Sequence, residues 1–299
     1  MQFCKIINIM KNTTLKWIYL ILLSLIWGSS FILIKHALIS LTPIQVGSLR
    51  ILITAVFLVL VGFKKLSNLS KNNWYYLTIT AFLGTFFPAF LFSYAITKVD
   101  SSLAAILNSF TPFNTLIFGA LVFGFSFQKK QIFGIIIGLI GTILLIYNSN
   151  SVTLEYNLMH IGFILIASIG YSFNVNIIKK HLQEVNALAI TTANFVILII
   201  PTLIVLYFSD FFTTFKITPE TNKSVLYIVI LAVFGTAIAK TLFNKLVQIS
   251  SPIFSASVTY LIPITAVILG VLDGEKISVL QILSAFIIFF GVYLVNRKK

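Results

Sequence analysis

Ten apolar runs divide this chain, at roughly residues 15–38, 43–63, 74–97, 101–122, 130–148, 159–179, 187–208, 224–247, 252–272 and 278–296. A helix rises about 1.5 Å per residue and bilayer hydrocarbon is about 30 Å thick, so about 20 apolar residues make one crossing. The breaks at Lys98-Val99-Asp100 and Ser250-Ser251-Pro252 are short. A helix fused across either of them would be about twice the length that one crossing needs. The runs therefore predict an all-α integral membrane protein with ten transmembrane helices, numbered here in chain order.

Composition agrees with that reading. The 299 residues are 59% hydrophobic and 9% charged, with a mean hydropathy of +1.04, whereas soluble domains carry about 25% charged residues. The first run is longer than a signal-peptide core and no small-residue cleavage site follows it, so it is expected to stay as a membrane helix. Cys4 is the single cysteine, which excludes an internal disulfide and a Cys-rich metal site. It reads as a free cytoplasmic thiol or a palmitoylation site.

Positive charge sets the expected orientation. With the N-terminus inside, thirteen Lys and Arg residues fall in inner segments, against five in outer ones: Lys35, Lys98, Lys216, Lys223 and Lys276. Six of the seven acids, all but Glu184, also fall outside. Both termini are thus expected in the cytoplasm. The net charge of +14 becomes a topology signal with some capacity to hold anionic lipid. Its dispersal over short loops argues against a nucleic-acid partner.

The chain also repeats itself. Gly84-Thr85, Phe92, Ala105 and Pro112 recur as Gly235-Thr236, Phe243, Ala256 and Pro263, at one constant offset of 151. Residues 1–150 and 151–299 then form two halves of five helices each. Because five is odd, the second half enters the membrane inverted, an architecture suited to alternating access around a midplane site.

Trp27-Gly28-Ser29-Ser30-Phe31 with Lys35, then Arg50, the two Gly-Thr pairs, the two prolines and "LDGEKISVLQ" at 272–281 together resemble the EamA family of the drug/metabolite transporter (DMT) superfamily. The resemblance covers nearly the whole chain. It implies two five-helix bundles and a cavity lined mainly by helices 1, 3, 4, 6, 8 and 9. It further implies movement of small organic metabolites, often amino acids, across a bacterial inner membrane. It gives Arg50 on helix 2 a place outside that cavity, with a structural role at a helix interface. The first half departs from the pattern, with Gly124-Phe125-Ser126 where the second has Gly274-Glu275.

Polar residues inside the runs supply the candidate binding site. Thr236, Lys240, Asn244 and Gln248 recur every four residues on helix 8, so they make one slowly drifting stripe, with Lys245 about 100° round from Asn244. Helix 6 offers Ser168, Ser172 and Asn176. Helix 4 offers Asn108, Thr111 and Thr115, while helix 9 offers Ser255, Thr259 and Tyr260. Trp27 and Ser30 on helix 1, Tyr94 on helix 3 and Phe243 on helix 8 complete the set. Each of these hydroxyls and amides has an alternative role as interhelical glue, and the aromatics as packing. Pro112 and Pro263 are expected to kink their helices and free backbone carbonyls.

Lys240 is the sharpest signal. A cation at the bilayer centre costs about 2.5–3.5 kcal/mol on insertion scales, and no Asp or Glu lies within the ten runs to pair with it. A wet cavity awaiting an anionic cargo accounts for it, as do neutralisation by desolvation and pairing with carbonyls. Lys245 lies near the inner end, where snorkelling is an equal account. No catalytic motif, metal-ligand cluster or cofactor signature occurs. The expected function is a non-enzymatic transporter of small solutes, exporting amino-acid-like or anionic compounds. Uptake, or a scaffold or lipid-processing role on the same fold, stays open, as does a homodimer.

Overall fold

The computed structural model describes residues 2–99, 101–147, 158–272 and 278–296, and no strand occurs among them. Asp100, Glu155, the Gly274-Glu275 pair and Arg297 to Lys299 lie outside the described residues, as does the side chain of Cys4. The helices are α1 (Gln2–Ala37), α2 (Pro43–Gly62), α3 (Lys71–Ala95), α4 (Leu103–Leu121), α5 (Lys129–Tyr147), α6 (Leu158–His181), α7 (Ala187–Tyr207), α8 (Pro219–Ile249), α9 (Pro252–Ala256 and Val258–Leu272) and α10 (Val279–Asn296).

Eight described stretches are long and apolar enough to cross a membrane: α2 extended to Leu66, α3, α4, α6, α7, α8, α10 and the Thr14–Ala37 part of α1. Pro252–Thr265 of α9 is a shorter apolar helix. The protein is a multi-pass membrane protein. Its outward faces fit lipid, with Leu60, Phe133 and Phe286 exposed by 81%, 62% and 68%.

Helix starts follow local chemistry. Thr42 and Thr218 close capping boxes with Gln45 and Thr221, and Pro43 and Pro219 follow at positions where a missing N–H costs nothing. Ser251, ahead of Pro252, caps the first segment of α9 by accepting from the Phe254 N–H. The short break between α8 and α9 is thereby enforced.

Small residues set how the helices meet. A Cβ built on Gly134 of α5 would lie 2.6 Å from the Gly291 carbonyl oxygen of α10. One built on Gly291 would lie 2.6 Å from the Gly138 nitrogen. These two helices touch backbone to backbone, the packing that drives association in lipid, where burying apolar surface yields little. Gly28 of α1 makes room for the Thr265 side chain of α9, and Gly62 of α2 for the Thr192 side chain of α7.

Two π-helical turns shape the centre. They span Phe82–Phe86 in α3 and Val233–Ile238 in α8. The Phe87 N–H reaches back to the Phe82 carbonyl, and the Ala239 N–H to the Phe234 carbonyl. Such a turn skips a backbone partner, so a carbonyl inside it becomes available to a side chain. Each turn contains one of the repeated Gly-Thr pairs.

Candidate functional site: the central cavity

Between α1, α2, α3, α4, α6, α7, α8 and α9 lies a cavity of about 970 Å³ of space between atoms, part of it open to the surroundings. Its walls are mostly apolar and aromatic, from Trp27, Phe31, Phe92, Phe195, Phe243 and Ile262. Two basic side chains, Arg50 and Lys240, face it, and among the described residues no carboxylate is in its lining.

Three polar links to the π turns frame this space. Lys240 Nζ donates to the Gly84 carbonyl and to Thr85 Oγ1. Trp27 Nε1 donates to the Gly235 carbonyl at 3.1 Å. Arg50 Nε donates to Thr236 Oγ1 at 2.8 Å, and that hydroxyl donates in turn to the Leu231 carbonyl. Each glycine carbonyl thus holds a donor from another helix, and each threonine hydroxyl accepts from a basic side chain. An added Cβ at Gly84 would meet the Asn174 side chain of α6, so even alanine there would force that side chain to shift.

The prolines act through the carbonyls they release. Pro112 has no N–H for the Asn108 carbonyl, which accepts from Thr111 Oγ1 at 2.7 Å instead. Pro263 leaves the Thr259 carbonyl free, and Ser109 Oγ of α4 donates to it at 3.1 Å. Pro112 lies in the first turn of its helix, after a break at Ser109 and Phe110, rather than kinking a continuous one. Hydroxyls occupy both of the carbonyls that the prolines free. Asn108 and Thr259 themselves line the cavity.

Of the residues singled out from sequence, Trp27, Ser30, Asn108, Thr111, Thr236, Lys240, Phe243 and Thr259 meet at this cavity. The others do not. Asn244 donates to Thr191 Oγ1 of α7 at 3.0 Å, Asn176 to the Thr115 carbonyl at 3.1 Å, and Tyr260 to the Ile135 carbonyl of α5 at 2.9 Å. Ser172 back-bonds to its own helix at Ile169. Lys245 and Tyr94 are exposed on the surface of the helix bundle, away from the cavity. The α8 stripe comes apart because residues four apart drift about 40° per step. By Asn244 the stripe faces α7, and Gln248 bonds the Leu182 and Val185 carbonyls.

Arg50 requires a correction. The family resemblance puts it outside the cavity, whereas its guanidinium lines the cavity and bonds Thr236. Gly84, Thr85 and Tyr171 also line the cavity. An arginine within an apolar run was the available signal for Arg50; which way it faced needed the packing of α2 on α8.

A helical membrane protein with a polar-studded cavity at its centre has the architecture that a membrane transporter needs, and comparison with known proteins places the chain in that class. The EamA-like transporter family matches over residues 15–147 and again over 158–297, and the chain belongs to that family. It is 30% identical over 288 residues to the Escherichia coli (strain K12) "Uncharacterized inner membrane transporter YedA", covering 93% of this chain and 89% of that protein. It is 28% identical over 288 residues to a Salmonella typhimurium "Probable amino-acid metabolite efflux pump", covering 92% of each. A solved structure titled "Crystal structure of protein" superposes with a TM-score of 0.72 at 15% identity, covering 93% of this chain and 95% of that one. The protein is a membrane transporter, and its relatives are named as transporters rather than enzymes.

Proposed function

We propose that this protein exports small amino-acid-like or anionic metabolites through the central cavity by alternating access. The observation that carries the reading is the pair of basic groups, Arg50 and Lys240, in a cavity that no acid lines among the described residues. Removing cations from water is expensive unless a partner arrives, and a cargo anion is that partner. The name of the Salmonella relative supports export of amino-acid metabolites.

The proposed frame is ten crossings, including α5 and α9, in two inverted halves at 1–150 and 151–299, with both termini cytoplasmic in a bacterial inner membrane. The 151-residue offset of the Gly-Thr pairs and prolines supports it, as does the family's double match. Links such as Lys240 to Gly84 would join one half to the other and exchange as the halves rock.

The test is thermal stability of the purified protein against anionic, zwitterionic and cationic metabolites, with efflux from reconstituted vesicles measured alongside. Ligands that bind the folded state raise its apparent stability by mass action. The reading expects stabilisation by compounds carrying a carboxylate and their movement across the vesicle membrane. Stabilisation by cationic compounds alone, or no movement of any stabilising compound, would sink it.

A further inference from the structure

Arg50 and Lys240 are not equivalent in this cavity. Lys240 already spends donors on the Gly84 carbonyl and Thr85 Oγ1. Arg50 is held by Nε alone, on Thr236 Oγ1, and among the described residues its two Nη groups have no protein partner. A guanidinium fixed at Nε presents both Nη donors as a planar fork, the geometry that grips a carboxylate by two parallel hydrogen bonds. Thr236 owes its position to the π turn of α8, which also places its hydroxyl to bond Leu231.

The rest of the lining limits what else a cargo carries. Phe31, Phe92, Phe195 and Phe243 suit an apolar or aromatic body. Among the described residues an ammonium group would find only neutral acceptors there, beside two basic side chains and no carboxylate. At cargo dimensions, charge repulsion in a poorly solvated space is strong.

We infer that Arg50 is the carboxylate anchor, and that the cargo is an organic acid with an apolar body and no free ammonium, such as a 2-oxo acid or an N-acylated amino acid. This deepens the transporter reading of the same cavity and rests on it. Selection against the ammonium follows from electrostatics, while selection for a planar carboxylate follows from the fork.

The experiment measures binding to the purified full chain of matched probes: phenylpyruvate, phenylalanine and phenylalanine methyl ester, with ketoisocaproate and leucine as a second pair. Wild type is expected to bind each oxo acid about tenfold or more tighter than its amino acid, and the ester not at all. Arg50→Lys keeps the charge and loses the fork, and should weaken oxo-acid binding by about tenfold. Arg50→Gln should weaken oxo-acid binding further and narrow the oxo-acid to amino-acid ratio without bringing it to one, because Lys240 still opposes the ammonium; misfolding would not narrow the ratio. Thr236→Val, which leaves the guanidinium but frees it to swing, should fall between wild type and Arg50→Lys. Amino acids binding as tightly as oxo acids, no oxo acid binding, or an unchanged ratio in Arg50→Gln each overturns the inference. Amino-acid efflux from vesicles in those cases leaves the transporter reading standing, whereas failure of that reading appears as no movement of any bound probe.

Discussion

Trp27 on α1 donates its indole N–H to the Gly235 carbonyl on α8, 3.1 Å away, and Lys240 on α8 donates its ammonium to the Gly84 carbonyl on α3. The two acceptors lie 151 residues apart, each inside a π-helical turn. A turn of this kind releases a carbonyl, and in both cases a side chain from another helix takes it up. The bonds therefore tie helices together at the points where their own ladders are interrupted.

Trp27→Phe tests the first bond. Phenylalanine retains the packing against Phe243, whose ring centroid lies 5.1 Å from that of Trp27, but supplies no donor. Leaving the Gly235 carbonyl unpartnered should cost about 1–3 kcal/mol. A fall in the thermal unfolding midpoint is the expected reading; an unchanged midpoint would mean that water or another group replaces the indole.

Lys240→Met separates stability from turnover. Methionine fills the same length of cavity wall without an ammonium to desolvate, so folding should be retained even though two acceptors lose their donor. If the α8 to α3 link is one the protein makes and breaks as it cycles, vesicle efflux should slow by about tenfold or more while the thermal midpoint moves little. Equal efflux in wild type and variant would assign Lys240 a purely local role.

The α5 to α10 contact predicts a steep steric response. Gly291→Leu would drive a side chain into the Gly134 and Gly138 backbone, atoms that cannot rotate away, and Gly138→Leu would strike the Tyr260 ring. Overpacking typically costs about 1–3 kcal/mol, and the Gly291 variant should exceed the Gly138 variant because backbone yields less than a ring. Gly162→Leu, where a Cβ meets nothing within 4 Å, serves as the control. Detergent-solubilised thermal midpoints should rank in that order.

Helix positions were legible in the sequence because lipid demands long uninterrupted apolar runs. The start expected at residue 187 falls at Ala187, and that expected at 252 falls at Pro252. The cavity was legible in part. Lys240, Thr236 and Trp27 were identifiable as costly or repeated residues, and the structure brings them to one space. Asn244 was drawn in by four-residue spacing, and the drift of that stripe, about 40° per step, carries it to the α7 face, where Thr191 claims it. Arg50 was missed because direction of facing depends on how α2 packs, which no single run encodes. The π turns were equally invisible: the Gly-Thr repeat marks them, but a released carbonyl becomes significant only when its donor lies on another helix.

Ser109 and Pro263 permit a stricter test of how these interrupted ladders are repaired. Pro263 has no N–H to give the Thr259 carbonyl, and Ser109 Oγ reaches across from α4 to donate at 3.1 Å. Ser109→Ala alone should leave a buried carbonyl unpartnered and destabilise the protein by about 1–3 kcal/mol. Pro263→Ala restores an N–H four residues on, so the helix can satisfy Thr259 by itself. In that background Ser109→Ala should be nearly neutral, and the difference between its effects in the two backgrounds measures the coupling directly. Equal costs in both backgrounds would show that Ser109 stabilises α4 through its bond to Ala105 and that the proline's missing donor is met in another way.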